Sequence, residues 1–292
     1  MKKSIATLSE DIYNLFSTSD DLHTELDKEV GSQIADEIAR AITREEKPRE
    51  KGKLWASDLG KQCMRQHWFN FNEDTYGEPL MGHTRFKFLY GNILEGVVLG
   101  LAKTAGHDVT MEQEVVEHQL NDTWTIRGRT DAAIDDAMID VKTASSYAYK
   151  KYSQGIDSTN DSFGYLYQLG FYKFFGAEGA YADRDDQGFV FIDKQNGHIK
   201  YVKAETPTKD ELIQRGEAIV EAVQTEDVED VARGYADKPY GKSGNRALDI
   251  ACAYCPFKQE CWPGLRTFLY NQGPVDFTHV AQEPRVPEIT GR

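Results

Sequence analysis

Asp131, Asp140 and Lys142 are spaced so that a short hairpin would gather two carboxylates and an ammonium on one side of a sheet. Period-two alternation puts Thr125, Arg127, Arg129, Asp131 and Ala133 on one face of a strand over 123–134, and Met138, Asp140 and Lys142 on one face of the next, 138–142. If Asp135-Asp136 is a two-residue loop, Asp131 lies directly across from Asp140; a four-residue loop keeps that register and a three-residue loop breaks it. Hard carboxylate oxygens so placed suit Mg²⁺ or Mn²⁺ and leave coordination positions for water and a phosphate. Such an ion acidifies its water and screens the charge that builds on phosphorus. A neighbouring lysine orients or deprotonates the water, or neutralises the phosphate. Taken alone, a D-x-K triplet at a strand end is usually just a solvated turn, so further groups must converge on it.

Two other sets of residues are placed to do so. Glu95, in Gly91-Asn92-Ile93-Leu94-Glu95, has Val98 and Leu99 at i+3 and i+4, which withdraws its carboxylate partly from water. A carboxylate there needs a partner, either a metal or an ordinary Lys or Arg. Gln168 and Tyr172 lie one helical turn apart on a single face, where an amide and a phenol can meet a phosphate backbone or hold metal ligands. Helix surfaces also bring such pairs together by chance; the interest of this one is its position, one helix after the D-x-K strand.

The four cysteines form a second constellation: Cys63 alone, then Cys252, Cys255 and Cys261 as C-x2-C-x5-C. The chain has no run of 18 apolar residues and its start has no apolar h-region, so the expectation is a protein of the cytoplasm with no membrane span. Thiols stay reduced there, which favours metal or cluster ligation over disulfides. Four thiolates suit zinc as well as a 4Fe–4S cluster, and spacing does not choose between them. Either would staple distant segments together.

The elements that must position these groups follow from periodicity. At 292 residues the chain is one large domain or a domain with appendages. Residues 5–46 are expected to be helical, with Leu22, Leu26, Val30, Ile34, Ile38 and Ile42 in register, and 44–53 reads as a charged linker; 1–54 thus forms a helical N-terminal region. Ser57 caps a helix through Phe71 that carries Cys63, and Gly82 opens a long amphipathic helix to about Ala105. Strands are expected near 108–118, 123–134 and 138–142, a helix over 161–176, a hairpin of 187–193 and 198–203 around Asn196-Gly197, and a helix over 208–226. Pro274, Pro284 and Pro287 mark 273–292 as an extended or disordered tail. The expected fold is α/β, a mixed central sheet flanked by helices, with the core over 55–272 and a cysteine-ligated C-terminal staple.

In order along the chain, Gly91…Glu95, Gly128-Arg129-Thr130-Asp131, Ile139-Asp140-Val141-Lys142-Thr143 and Gln168…Tyr172 resemble the motifs of the PD-(D/E)XK nuclease superfamily in its RecB-like branch, over roughly residues 55–262. That resemblance implies a restriction-endonuclease-like core with Asp131 and Asp140 as metal ligands, Lys142 as the catalytic lysine, and Gln168 and Tyr172 as supporting residues. Many members of the branch carry His where this chain has Glu95; a Glu is similar to the phage lambda exonuclease type, which keeps a ligand role and leaves metal preference open. The C-x2-C-x5-C with a distant cysteine, and the stretch from Ala56 to Arg65, resemble the iron–sulfur nucleases of the branch, the CRISPR-associated exonucleases and AddB-type recombination subunits. By that resemblance Cys63, Cys252, Cys255 and Cys261 hold a 4Fe–4S cluster.

What the resemblance implies is a Mg²⁺- or Mn²⁺-dependent DNA exonuclease of phage or CRISPR-type processing, recombination or repair. Its partners would be DNA with a free end and recombination or CRISPR-type proteins, and its compartment the host cytoplasm if phage-encoded. The net charge of −14 runs against tight binding of nucleic acid without metal. Lys150 and Lys151 among Tyr147, Tyr149 and Tyr152 could track a single strand, as well as simply pack on neighbours, and Arg85 and Lys87 could meet phosphate. Gly241-Lys242-Ser243 lacks the upstream glycines of a P-loop, so no nucleotide cofactor is expected. The rival readings are a non-cleaving iron–sulfur DNA-binding subunit of a helicase or recombination complex, and a sequence-specific endonuclease.

Overall fold

The computed structural model describes residues 3–18, 28–43, 49–72 and 82–289. Leu22 and Leu26 of the expected N-terminal helix, and 44–48 of the linker, lie outside the described residues. In chain order come α1 (Leu8–Thr18), α2 (Lys28–Thr43), β1 (Lys53–Trp55), α3 (Ala56–Leu59), α4 (Met64–Asn72) and α5 (Gly82–Thr104). Strands β2 (Val109–Thr110), β3 (Val115–Gln119), β4 (Thr125–Arg129), β5 (Ala132–Ile134) and β6 (Ala137–Ala144) precede α6 (Ser146–Tyr152) and α7 (Tyr165–Phe175). Then follow β7 (Gln187–Asp193), β8 (Ile199–Lys203), α8 (Lys209–Gln224), β9 (Lys238–Pro239) and β10 (Arg246–Ala247). The chain continues through α9 (Ile250–Ala253), α10 (Lys258–Cys261), β11 (Arg266–Tyr270), β12 (Gly273–His279) and β13 (Glu288–Ile289).

The chain forms two compact units interleaved along the sequence, 1–61 with 81–217 and 62–80 with 218–292. The first unit is built on a five-stranded sheet of order β2-β5-β6-β7-β8 and a three-stranded sheet of order β1-β4-β3. In the larger sheet β6 and β7 run parallel and the other pairs antiparallel, so the sheet is mixed, as expected. Alternation along β6 and β7 sorts their side chains: Ile139, Val141, Val190 and Ile192 join Leu8 and Ile12 of α1 and Val98, Leu99 and Ala102 of α5 in one apolar cluster. Phe189 and Phe191 point the other way, toward Tyr165 and Tyr152.

The hairpin that decides the register is the two-residue one. Asp135 and Asp136 both have positive φ, 51° and 73°, the conformation that a tight primed turn demands and that short polar side chains tolerate. Ala132 pairs with Ile139, Ala133 with Met138 and Ile134 with Ala137, so one more step brings Asp131 opposite Asp140. The tip is anchored by Asp135, whose carboxylate accepts from the Asp108 amide at 3.1 Å and lies 2.7 Å from Nδ1 of buried His107.

Three expectations are corrected. The strand expected over 123–134 breaks at Thr130-Asp131, with β4 in one sheet and β5 in the other. Thr130 is fully buried; its hydroxyl donates to the Met111 carbonyl and accepts from the Glu114 amide at 3.1 Å, which pins the crossing point. The single helix expected over 57–71 is two helices, α3 and α4, with Cys63 just before the second and Ser57 inside the first. Between them Gly60 meets Gly164 backbone to backbone: a Cβ on Gly60 would sit 2.1 Å from the Gly164 carbonyl oxygen. Finally, the tail expected to be extended or disordered contributes β12 and β13 to the second unit's sheet, of order β13-β11-β12-β10-β9. Phe268 and Phe277 from β11 and β12 bury against Ala247, and pairing with β11 across a two-residue turn outweighs the prolines.

Candidate metal centre

Asp140 sits mid-strand in β6 with its side chain essentially inaccessible, and its Oδ1 has no hydrogen-bond partner. Lys142, two residues on and on the same face, closes an ion pair with Oδ2. Burial pushes the Asp140 carboxyl up from its ordinary range, and the lysine only partly offsets this. Burial alone would push the Lys142 ammonium down, but Asp140 and Asp131 outweigh that and raise it. Asp131, at the crossing between β4 and β5, accepts a 2.7 Å hydrogen bond on Oδ2 from the Val141 amide. Its carboxyl stands well above the ordinary value, through burial first, then Glu95, then Asp140. Three carboxylates and one ammonium thus act on one another at this end of β6.

Glu95 reaches the site from α5. Gly91, one turn earlier, lets the helix ride close on β6, since a Cβ there would lie 3.4 Å from the Thr143 hydroxyl. The Glu95 Oε1 accepts from the Gln113 side-chain amide at 2.9 Å. Gln168 and Tyr172 stand together on α7 as expected: the Gln168 amide donates to the Tyr172 phenol at 3.1 Å. Tyr172 is buried and its phenol is held up by burial, then by Asp140 and Asp131. Gly128 makes room for it, because a Cβ on Gly128 would come 2.6 Å from the tyrosine ring.

A family model described as the PD-(D/E)XK nuclease superfamily matches residues 10–262. The chain belongs to the PD-(D/E)XK nuclease superfamily. Among curated proteins this superfamily member finds no match. Among solved structures it is similar to the crystal structure of SSO0001, at 15% identity and a TM-score of 0.45, over 80% of this chain and 95% of that one.

Nucleases of this superfamily use divalent metal, and the donors here suit a hard cation: buried carboxylates that repel one another and an orphaned oxygen on Asp140. Among the described residues, no group of three or more His, Cys, Asp and Glu side chains is drawn up to hold an ion as it stands. At Asp140 the Lys142 ammonium supplies the positive charge instead.

Three residues near the site lie outside the sequence motifs. Gln113, at a positive φ of 53°, holds Glu95 through a loop, and nothing local marks it. Tyr165 lies under the Lys142 ammonium, 4.9 Å from Nζ to ring centroid, and burial lifts its phenol to about 12. Asp161 caps α7, accepting from the Tyr165 amide at 3.0 Å and the Leu166 amide at 2.8 Å, and it adds to the charge that opposes Asp140. A capping residue stands directly before its helix, so an Asp four residues earlier gives no cap signal, and the helix expected to begin at 161 took it in.

The four cysteines all fall in the second unit, half-buried and free of disulfides. Burial raises the Cys252 thiol to about 11 and the Cys255 thiol to about 12, with the neighbouring thiols adding to both. The Gly234 amide donates to the Cys63 sulfur at 3.4 Å, and Gly234 must be glycine, since its Cβ would meet the Cys63 Cα at 2.6 Å. Of the tyrosines among the basic residues of α6, Tyr152 stacks on Phe191 and Tyr149 on His198, while Tyr147 is exposed. Among the described residues no helix is long and apolar enough to cross a membrane.

Proposed function

We propose that this nuclease is a Mg²⁺- or Mn²⁺-dependent DNA exonuclease of the RecB-like branch. The observation that carries the reading is the buried Asp140 with an unpartnered oxygen, set across a two-residue hairpin from Asp131 and ion-paired with Lys142. In this reading Asp131 and Asp140, with Glu95, hold the metal, which supplies an acidified water and positive charge to the phosphate. The Lys142 ammonium is released from Asp140 toward the phosphate oxygens, where it offsets negative charge. Gln168 and Tyr172, coupled through their own hydrogen bond, fix the far side of the site and keep bulk water from it.

Cys63, Cys252, Cys255 and Cys261 would hold a 4Fe–4S cluster with a structural role, zinc being the alternative. The amide that Gly234 donates to the Cys63 sulfur, and the repulsion among the sulfurs that a bound cation would relieve, support thiolate ligation. Anaerobic purification followed by analysis for iron, acid-labile sulfide and zinc separates the two. The setting would be DNA processing, recombination or repair, with recombination or CRISPR-type protein partners. Incubating linear and closed circular DNA with the metal-loaded protein tests the exonuclease reading: linear substrate should shorten from its ends and circles survive. Cut circles would make it an endonuclease, and untouched substrates of both kinds would make it a non-cleaving DNA-binding subunit.

A further inference from the structure

Phe163 is out of place for a residue with only a folding role. Its phenyl is 62% exposed and stacks on Tyr165, with centroids 5.3 Å apart and rings 23° from parallel. The Tyr165 ring lies beneath the Lys142 ammonium, so the exposed ring stands two contacts from the group that pairs with Asp140. Tyr165 also meets the edge of Tyr152, whose ring carries the Lys151 ammonium at 4.9 Å.

The mount beneath this ring is rigid. Gly164 has a positive φ of 74° and is locked against the backbone of Gly60. On one side Asp161 ties the start of α7; on the other, the Asn160 side chain donates to the Gly155 carbonyl at 3.1 Å, and Lys151 donates to the Asn160 carbonyl at 2.8 Å. These contacts fix the backbone next to Phe163 and so hold its exposed ring in one place against Tyr165.

We propose that Phe163 is a stacking platform for the nucleobase beside the scissile phosphate, and that the site therefore takes its DNA as an unpaired strand or a frayed end. The proposal rests on the nuclease reading above. A base inside a duplex has both faces covered by its neighbours; only an unpaired or terminal base has a face to offer. Stacking on an aromatic ring is indifferent to which base is present, as a sequence-independent nuclease requires. Lys142 and Lys151 place positive charge beside the platform, where the sugar-phosphate backbone of a stacked nucleotide would run.

The test uses full-length wild-type protein, Phe163→Ala and Phe163→Trp, with single-stranded oligonucleotides carrying 2-aminopurine or an abasic residue at one end or the other. Binding is followed with Ca²⁺ in place of Mg²⁺, and cleavage separately with Mg²⁺. Wild type and the Trp variant should quench 2-aminopurine at one of the two ends, and Phe163→Ala should lose the quench and bind about tenfold more weakly. The abasic end should weaken wild type about as much and leave Phe163→Ala unchanged. Equal quenching and equal affinity in wild type and Phe163→Ala would overturn the platform. Normal cleavage with base-independent binding defeats this proposal alone; base-dependent binding without any cleavage defeats the nuclease reading alone.

Discussion

Asp131 is a carboxylate whose charge the fold resists: burial, Glu95 and Asp140 all raise its pKa, against a partial offset from Lys142 and the Val141 amide. The same opposition is what a divalent cation would relieve. Asp131→Asn keeps an oxygen that can accept from the Val141 amide and removes the unfavourable charge. The variant should match or exceed wild-type thermal stability in EDTA, yet lose the rise in Tm that Mg²⁺ or Mn²⁺ gives wild type, a difference a thermal melt with and without metal reads directly. Lys142→Ala strips the buried Asp140 of its cation and should cost about 1–3 kcal/mol in the metal-free protein, with metal restoring part of it. Cleavage by that variant should fall by about 10²–10³-fold, the scale on which losing one group that stabilises the transition state is felt.

Among the elements, the β5–β6 hairpin was the most legible, because a two-residue Asp-Asp loop and period-two alternation fix its register without help from elsewhere. Gln168 and Tyr172 were legible for the same reason, one helical turn being a local fact. The sheet crossing at Thr130 was not. It depends on a hydroxyl reaching Met111, far back in the chain, and alternation runs through it undisturbed. Nor was the turn between α3 and α4, set by the contact of Gly60 with Gly164, or strand β12, where Pro274 masks a strand that pairs with β11 across a two-residue turn and with β10. The close approach of β4 to α7 makes a prediction of its own. Gly128→Ala places a methyl 2.6 Å from the Tyr172 ring and 2.8 Å from the Ala56 Cβ, so it should cost about 1–3 kcal/mol in a denaturant melt and lower cleavage by displacing Tyr172.

At the scale of the whole molecule, 48 acidic residues against 34 basic ones leave a net charge of −14, an unfavourable field for DNA. Affinity must therefore come from a few local cations, stacking and metal. The second unit, with its cysteines and its sheet of β9 to β13, stands apart in what it should do when damaged. If the cysteines hold iron or zinc as proposed, Cys255→Ala should lose it and lower Tm by about 10 °C or more, each kcal/mol being worth a few degrees in a chain of this size. A variant that keeps its normal melting temperature after losing metal would remove the structural role of that site. The central claim, that the Asp131–Asp140–Lys142 grouping is a metal-dependent phosphodiesterase centre, is tested most directly by hydrolysis of end-labelled linear DNA. Wild type and Asp140→Ala are compared in Mg²⁺, Mn²⁺ and EDTA. The account predicts cleavage by wild type with either metal, none in EDTA, and none by the variant although it remains folded. Cleavage by Asp140→Ala at the wild-type rate, or cleavage by wild type in EDTA, would contradict it.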